Sequence, residues 1–183
     1  MAFRKQWSFS VIKDFETCPR KYHEEKVLKN YPFVENEAAR YGNAVHKAAE
    51  NYILHDTPLG EHERFKKTFD RVKAYKGEIM CEQKWAVSQD AEPVKYFDKS
   101  VWFRAIGDFV AVNGSRARIL DWKTGGAKYP DLDQLEVMAL ATWVKFPEVE
   151  IVDAALVFLV ERKFFPKQFK REKDFDRLWK KWD

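Results

Sequence analysis

Between Val101 and Lys123, two runs rich in Val, Ile, Phe and Trp flank the dipeptide Asn113-Gly114, and each run carries one aspartate among apolar neighbours. Asn-Gly between two such runs is a strong signal for a two-residue hairpin turn. A turn centred there sets Val112 against Ser115, Asp108 against Ile119 and Ile106 against Asp121. Residues directly opposite share a face, as do residues two apart on one strand. Asp108, Asp121 and Lys123 are therefore expected on one face, with the two carboxylates as diagonal neighbours roughly 7–8 Å apart along the backbone. A one-residue bulge would upset this register.

The rest of that face is Ile106, Val110, Ala117 and Ile119, so two carboxylates and a lysine there are costly without a compensating partner. A hard divalent cation, Mg²⁺ or Mn²⁺, held by carboxylates and water is such a partner. The alternative is a structural Asp–Lys ion pair at the end of the sheet, but buried ion pairs seldom improve stability. Gly107 beside Asp108, and Gly125-Gly126 after Lys123, are expected to open the backbone for a substrate.

The flanking segments set the fold class. Residues 8–28 predict a helix, with Ser8 or Ser10 as N-cap, Val11, Phe15 and Tyr22 facing inward, and a break at Pro19. Residues 37–55, with Ala38, Tyr41, Val45, Ala49, Tyr52 and Ile53 at helical spacing, and residues 61–75, with Phe65, Phe69 and Val72, predict two more. The period then changes: Glu78–Val87, Val101–Val112 and Arg116–Lys123 predict strands. Helix returns over 130–145, the apolar run Ala154–Val160 suits a buried strand, and Lys163–Phe169 pairs beside it. Glu172–Trp182 closes as a helix with Phe175, Leu178, Trp179 and Trp182 on its inward side. The order predicts an α/β (α+β) domain, a central mixed sheet flanked by helices. One domain is expected over 1–183, with a helical part (1–76), a core (77–160) and a basic C-terminal strand and helix (161–183).

Composition excludes several classes. With 45% hydrophobic and 16% aromatic residues the chain is neither disordered nor fibrous. Its longest apolar run is far short of the roughly 20 residues that span a bilayer. Two cysteines, Cys18 and Cys81, suit a reducing cytosol, and Cys18 is expected to be a small buried residue. The net charge of +4 announces no polyanionic partner, but it is unevenly placed. Residues 162–183 hold nine Lys/Arg against four Asp/Glu. That excess is either a solvated helix face or a surface for phosphates, with Lys167, Lys170 and Arg171 as the candidates.

Gly107-Asp108, then Asp121-Trp122-Lys123-Thr124-Gly125, then a helix carrying Gln134, resembles the PD-(D/E)XK nuclease superfamily. The closer similarity is to its RecB-like branch, which includes phage exonucleases and CRISPR-associated adaptation nucleases. Ser10-Val11-Ile12-Lys13-Asp14-Phe15-Glu16-Thr17-Cys18-Pro19-Arg20-Lys21-Tyr22 looks like the N-terminal motif of that branch. Tyr41-Gly42-Asn43-Ala44-Val45-His46 looks like its histidine-bearing helix, and Asp131-Leu132-Asp133-Gln134-Leu135-Glu136 like the start of its active-site helix. The resemblance implies a restriction-endonuclease-like core in which Asp108, Asp121 and His46 bind metal. It also implies that Lys123 polarises the scissile phosphate or orients the attacking water, and that Gln134 positions Lys123 or the substrate. Glu82, on the first strand, is either a weak ligand or a structural glutamate. His23, His55 and His62 lack such a context and are expected at the surface.

Two departures matter. Iron–sulfur members of the branch add C-terminal cysteines, whereas Glu161–Asp183 contains none, so no iron–sulfur cluster is expected. A tyrosine often follows the glutamine by four residues, and here that position is Met138. The resemblance implies a Mg²⁺- or Mn²⁺-dependent exonuclease acting on DNA in recombination, repair or phage DNA processing, leaving 5′-phosphate and 3′-hydroxyl ends. A structure-specific endonuclease and a catalytically silent DNA-binding subunit are the alternatives. No GK[ST] phosphate loop is present, so a helicase or recombination partner would be a separate chain. No membrane association is expected, and the implied location is the cytoplasm of a bacterial or phage-infected cell.

Overall fold

The structure, a computed structural model, describes residues 6–32 and 34–182. Its frame is a mixed seven-stranded sheet. Strands β2 (Glu78–Ser88), β4 (Val101–Asn113) and β5 (Arg116–Lys123) form an antiparallel meander. Helix α5 (Asp133–Lys145) then carries the chain to β6 (Ile151–Phe158), parallel to β5, and β7 (Lys163–Lys170) returns antiparallel. The short β3 (Pro93–Val94) extends the β2 edge, giving the order β3-β2-β4-β5-β6-β7. The two-residue β1 (Trp7–Ser8) pairs parallel with Phe103 and Arg104 of β4.

Two apolar layers follow from the alternation of strand residues. Val110, Ala117, Ile119, Ala154 and Leu156 pack with α5 and with α6 (Arg171–Trp182), whose Leu178 is fully buried and whose Phe175, Trp179 and Trp182 lie against the same core. Phe109, Ala111, Leu120, Trp122 and Val157 face α3 (Glu37–His55) and α4 (Lys66–Lys73). Strand β6 is covered on both faces, which is why it reads as a continuous apolar run. It begins at Ile151 rather than Ala154, because its pairing with β5 runs the full length from Arg116 to Lys123 and Arg116 neutralises Asp153 at 2.7 Å.

The N-terminal helix is divided. Helix α1 (Phe9–Thr17) is capped by Ser8 and ends at the extended Cys18, α2 (Pro19–Tyr22) restarts on Pro19, and a π-helical turn covers His23–Val27. Cys18 is half-buried rather than buried, since its Sγ caps the N–H of Lys21 at the break. Phe15 is 52% exposed, not inward-facing, and meets Tyr22 edge-on. His62 is the converse: expected at the surface, it is 5% exposed. The segment Gly60–Phe65 is a 3₁₀ helix, and its three-residue period puts Leu59, His62 and Phe65 on one buried side.

Candidate active site

The hairpin turn uses Gly114-Ser115, not Asn113-Gly114, so Asn113 pairs with Arg116 and Val110 with Ile119. Gly114 sits at φ +58, the left-handed conformation a two-residue turn wants at its first central position. The shift is two residues in the pairing, so face parity survives, but Asp108 now falls opposite Asp121 instead of Ile119. The ladder stops one step short, at Phe109–Leu120. On that same edge of β4, β1 pairs at Phe103 and Arg104. The backbone edge from Ala105 to Asp108 is thus left open between β1 and β5.

Side-chain alternation also reverses here. In β2, Met80 faces the α5 layer and Cys81 the α3 layer, yet Trp85 and Val87 return to the α5 layer. In β4, Val110 and Val112 face α5, and so do Phe103 and Ala105. The reversal falls at Glu82, whose φ is +50, and at its cross-strand neighbour Asp108. Gly107 is needed for packing rather than for substrate approach, as a Cβ there would meet Val110 Cγ2 at 2.8 Å.

The expected single-face arrangement is thereby replaced by a site that passes through the sheet. From the α3 side, His46 places Nδ1 3.3 Å from Glu82 Oε1 and 3.5 Å from Asp108 Oδ1, while Nε2 lies 3.1 Å from the Trp122 carbonyl. In the gap, Asp108 Oδ2 accepts the Trp122 N–H at 2.8 Å. On the α5 side, the Gln134 amide donates to Asp121 Oδ1 and accepts from Lys123 Nζ at 2.9 Å. Lys123 Nζ is also 2.7 Å from Asp121 Oδ2. These residues line one cleft of about 490 Å³, walled by Ser8, Phe9, Tyr96, Arg104 and Ile106, with Met138 among its lining. An ion pair of 3.0 Å between Lys13 and Asp131 ties α1 to the segment before α5.

The electrostatics are those of an acid-rich pocket. Burial pushes the Asp121 carboxyl up, the Asp108 charge adds to this, and Lys123 only partly offsets it, leaving it at about 6. Burial pulls His46 down, but the Asp108 and Glu82 carboxylates beside its Nδ1 outweigh that and raise it to about 10. Glu82 Oε1 and Asp121 Oδ2 are buried without a hydrogen bond, and each is met only by an ion-pair contact, from His46 Nδ1 at 3.3 Å and from Lys123 Nζ at 2.7 Å. Buried carboxylate oxygens left so incompletely satisfied call for a further partner. His46, Glu82 and Asp108 offer ligand atoms all within 4.8 Å of one another. This is a carboxylate-and-imidazole set suited to a hard divalent cation, so the residues present fit one. With a cation bound, Nδ1 of a neutral His46 would face it while Nε2–H donates to the Trp122 carbonyl, fixing the ring.

A family model of the PD-(D/E)XK nuclease superfamily matches residues 6–181. The chain belongs to that superfamily. No curated protein matches it. Among solved structures, that of SSO0001 is similar over 89% of this chain and 67% of its own, at 15% identity and a TM-score of 0.38. The residues that carry the PD-(D/E)XK resemblance, Asp108 and Asp121-Trp122-Lys123, are those flanking the gap.

The structure brings His46, Glu82, Asp108, Asp121, Lys123 and Gln134 into one cleft, and leaves Lys167, Lys170 and Arg171 outside its lining. Lys167 is 2.9 Å from the buried Glu136, and Arg171 donates to the carbonyls of Trp143 and Pro147, whereas Lys170 is exposed. Tyr96 and Arg104 were not marked by any sequence signal, because the short loop that holds Tyr96 has no periodicity and Arg104 reads as one polar position of a strand. Among the described residues no helix is long and apolar enough to cross a membrane.

Proposed function

We propose that this chain is one nuclease domain of the RecB-like kind that hydrolyses DNA phosphodiesters with Mg²⁺ or Mn²⁺, acting as an exonuclease. The observation that carries the reading is the convergence in one cleft of buried Glu82 and Asp121 carboxylate oxygens that accept no hydrogen bond and are met only by ion-pair contacts from His46 and Lys123. His46, Glu82 and Asp108 would hold the cation, with Asp121 at its border. The cation, when bound, supplies Lewis acidity and an acidified water. Lys123 donates to the phosphate oxygen on which charge builds, a preorganised contact that needs no rearrangement during reaction. Gln134 keeps Lys123 and Asp121 in register by satisfying one atom of each. Asp108, anchored on the Trp122 N–H, keeps one oxygen directed at the cleft.

The test is cleavage of linear, closed circular and single-stranded DNA with each metal, by wild type and by Asp121→Ala. Metal-dependent loss of linear DNA, with circles untouched and the variant inactive, is the expected result. Cut circles would replace the exonuclease reading by an endonuclease. Wild-type rates in Asp121→Ala would overturn the site, and calorimetry with no Mg²⁺ or Mn²⁺ binding would point to a silent subunit.

A further inference from the structure

The wall of the cleft where Arg104 pairs with Ser8, the residue that caps α1, carries chemistry that phosphodiester hydrolysis does not use. Tyr96 and Arg104 line the cleft, and Phe97 follows on the loop between β3 and β4. The Arg104 guanidinium lies 5.1 Å from the Tyr96 ring and 5.7 Å from the Phe97 ring, and the two rings meet edge-to-face at 5.1 Å. Arg104 Nε donates to the Tyr96 carbonyl at 2.7 Å, so the arginine is fixed to the loop it stacks on. Phe97 is nevertheless 85% exposed.

The loop is held, not free to fold the ring away. Asp98 Oδ1 accepts from the Ser100 N–H at 2.8 Å and from its hydroxyl at 2.7 Å. The Asp98 carbonyl accepts from the Gln6 amide at 3.0 Å, and the Asp98 N–H donates to the Lys95 carbonyl at 2.9 Å. Isolated exposed apolar side chains are ordinary. An exposed phenyl ring on a braced loop, in contact with a tyrosine and a guanidinium that both line an acidic cleft, is a different object. Its π-faces and cation match the faces of a heteroaromatic base.

We propose that Tyr96, Phe97 and Arg104 form a stacking subsite for an unpaired nucleobase of the strand being cut. The proposal rests on the nuclease reading and adds a preference to it: a paired base has both faces covered by its neighbours, so single strands and frayed ends are favoured over intact duplex. Tyr96 and Phe97 supply the stacking faces, and Arg104 positions them.

Two measurements test it. In cleavage assays, Phe97→Ala is expected to lower kcat/KM on single-stranded DNA about 5- to 100-fold, the range of losing one base–aromatic stack. Phe97→Trp should restore the rate, and a strand of the same length built of abasic nucleotides should show no difference between wild type and Phe97→Ala. Unchanged cleavage of the base-bearing strand, or an equal loss on the abasic strand, overturns the subsite. In EDTA, where cleavage plays no part, a single-stranded oligonucleotide containing 2-aminopurine should be quenched on binding wild type and not on binding Phe97→Ala. Quenching retained by the variant overturns the subsite even if the protein proves to cut no DNA, while quenching lost by it upholds the subsite in that case.

Discussion

Glu82 and Asp108 occupy the one unpaired step of the β2–β4 ladder between Cys81–Phe109 and Gln83–Gly107, and the Glu82 backbone lies in the left-handed region, at φ +50. A non-glycine residue costs roughly 1–2 kcal/mol there. On either side of this pair the strands present opposite alternations to the same layers, so the strain is what turns two core strands inside out at one point. Asp108 is thereby freed to reach the Trp122 N–H, and Glu82 to reach His46 from the other side. Strain held in place by surrounding structure commonly marks a functional site.

Glu82→Gly should separate the two roles. Glycine adopts the left-handed backbone without cost and removes a half-buried carboxylate, so the metal-free variant is expected to unfold at a Tm no lower than wild type. Its affinity for Mn²⁺ should fall about 10- to 100-fold, the scale of a damaged ligand environment. A calorimetric titration and a melting curve on the same sample decide it, and unaltered Mn²⁺ affinity would remove Glu82 from the site.

Asp121 should destabilise the metal-free protein near neutrality. Its carboxyl is raised from 3.8 to about 6, chiefly by burial and then by Asp108. A carboxyl raised in the fold contributes most stability below its unfolded value and loses it as pH climbs through the folded one. Asp121→Asn is therefore expected to raise Tm at pH 7–8 by about 2–4 °C for each kcal/mol relieved, with the gain vanishing below about pH 4. Excess Mg²⁺ or Mn²⁺ should stabilise wild type by about 2.7 kcal/mol at a hundred times its Kd and leave the variant behind. A Tm gain that persists at pH 3 would mean that packing, not charge, is responsible.

The regular parts of this fold were legible because periodicity is local. Helix 37–55 and strand 116–123 emerge with the expected bounds, and Leu178, Phe175 and Trp179 do pack inward. What was hidden depends on partners distant in sequence. The two-residue β1 and β3 carry no pattern of their own, and Lys167 looks like a free surface cation until β7 is laid beside α5. Asp108 and Asp121, expected as diagonal neighbours, still meet in one cleft because the misplaced turn moved the register by two residues and brought them opposite each other. The position of Glu82 did not follow from alternation, because alternation is the rule that fails there.

Gln134 touches both Asp121 and Lys123 and lies outside the group of His46, Glu82 and Asp108. Gln134→Ala should therefore leave metal affinity within a factor of about two while lowering kcat roughly 10- to 100-fold, as loss of an orienting contact does. Gln134→Glu should not rescue it, since a carboxylate cannot donate to Asp121 and adds a third charge beside it. Parallel calorimetry and single-turnover rates separate the two effects. A loss of metal affinity equal to the loss of rate would place Gln134 among the ligands instead.

The C-terminal charges divide by the same criterion. Glu136, buried on α5, is held by Lys167 at 2.9 Å and Lys181 at 2.7 Å, and accepts the Trp182 indole N–H at 3.1 Å. Burial alone would raise its carboxyl, but the two lysines pull it below the usual glutamate value. A carboxyl lowered in the fold contributes stability above its unfolded value and loses it as pH falls through the folded one. Glu136→Gln should then cost about 1–3 kcal/mol at pH 7, less than for a fully buried pair because both lysines reach solvent. The deficit should close only at acid pH, below about 4. Lys167→Gln should lower Tm in the same sense, whereas Lys170→Gln should leave it unchanged, since that side chain is exposed. If this end of the chain meets DNA, Lys170→Gln should weaken binding alike on all sequences and reduce the salt dependence by about one. Salt titrations of DNA affinity for Lys170→Gln beside wild type read this directly, and identical slopes would leave the basic terminus as a brace for α5 alone.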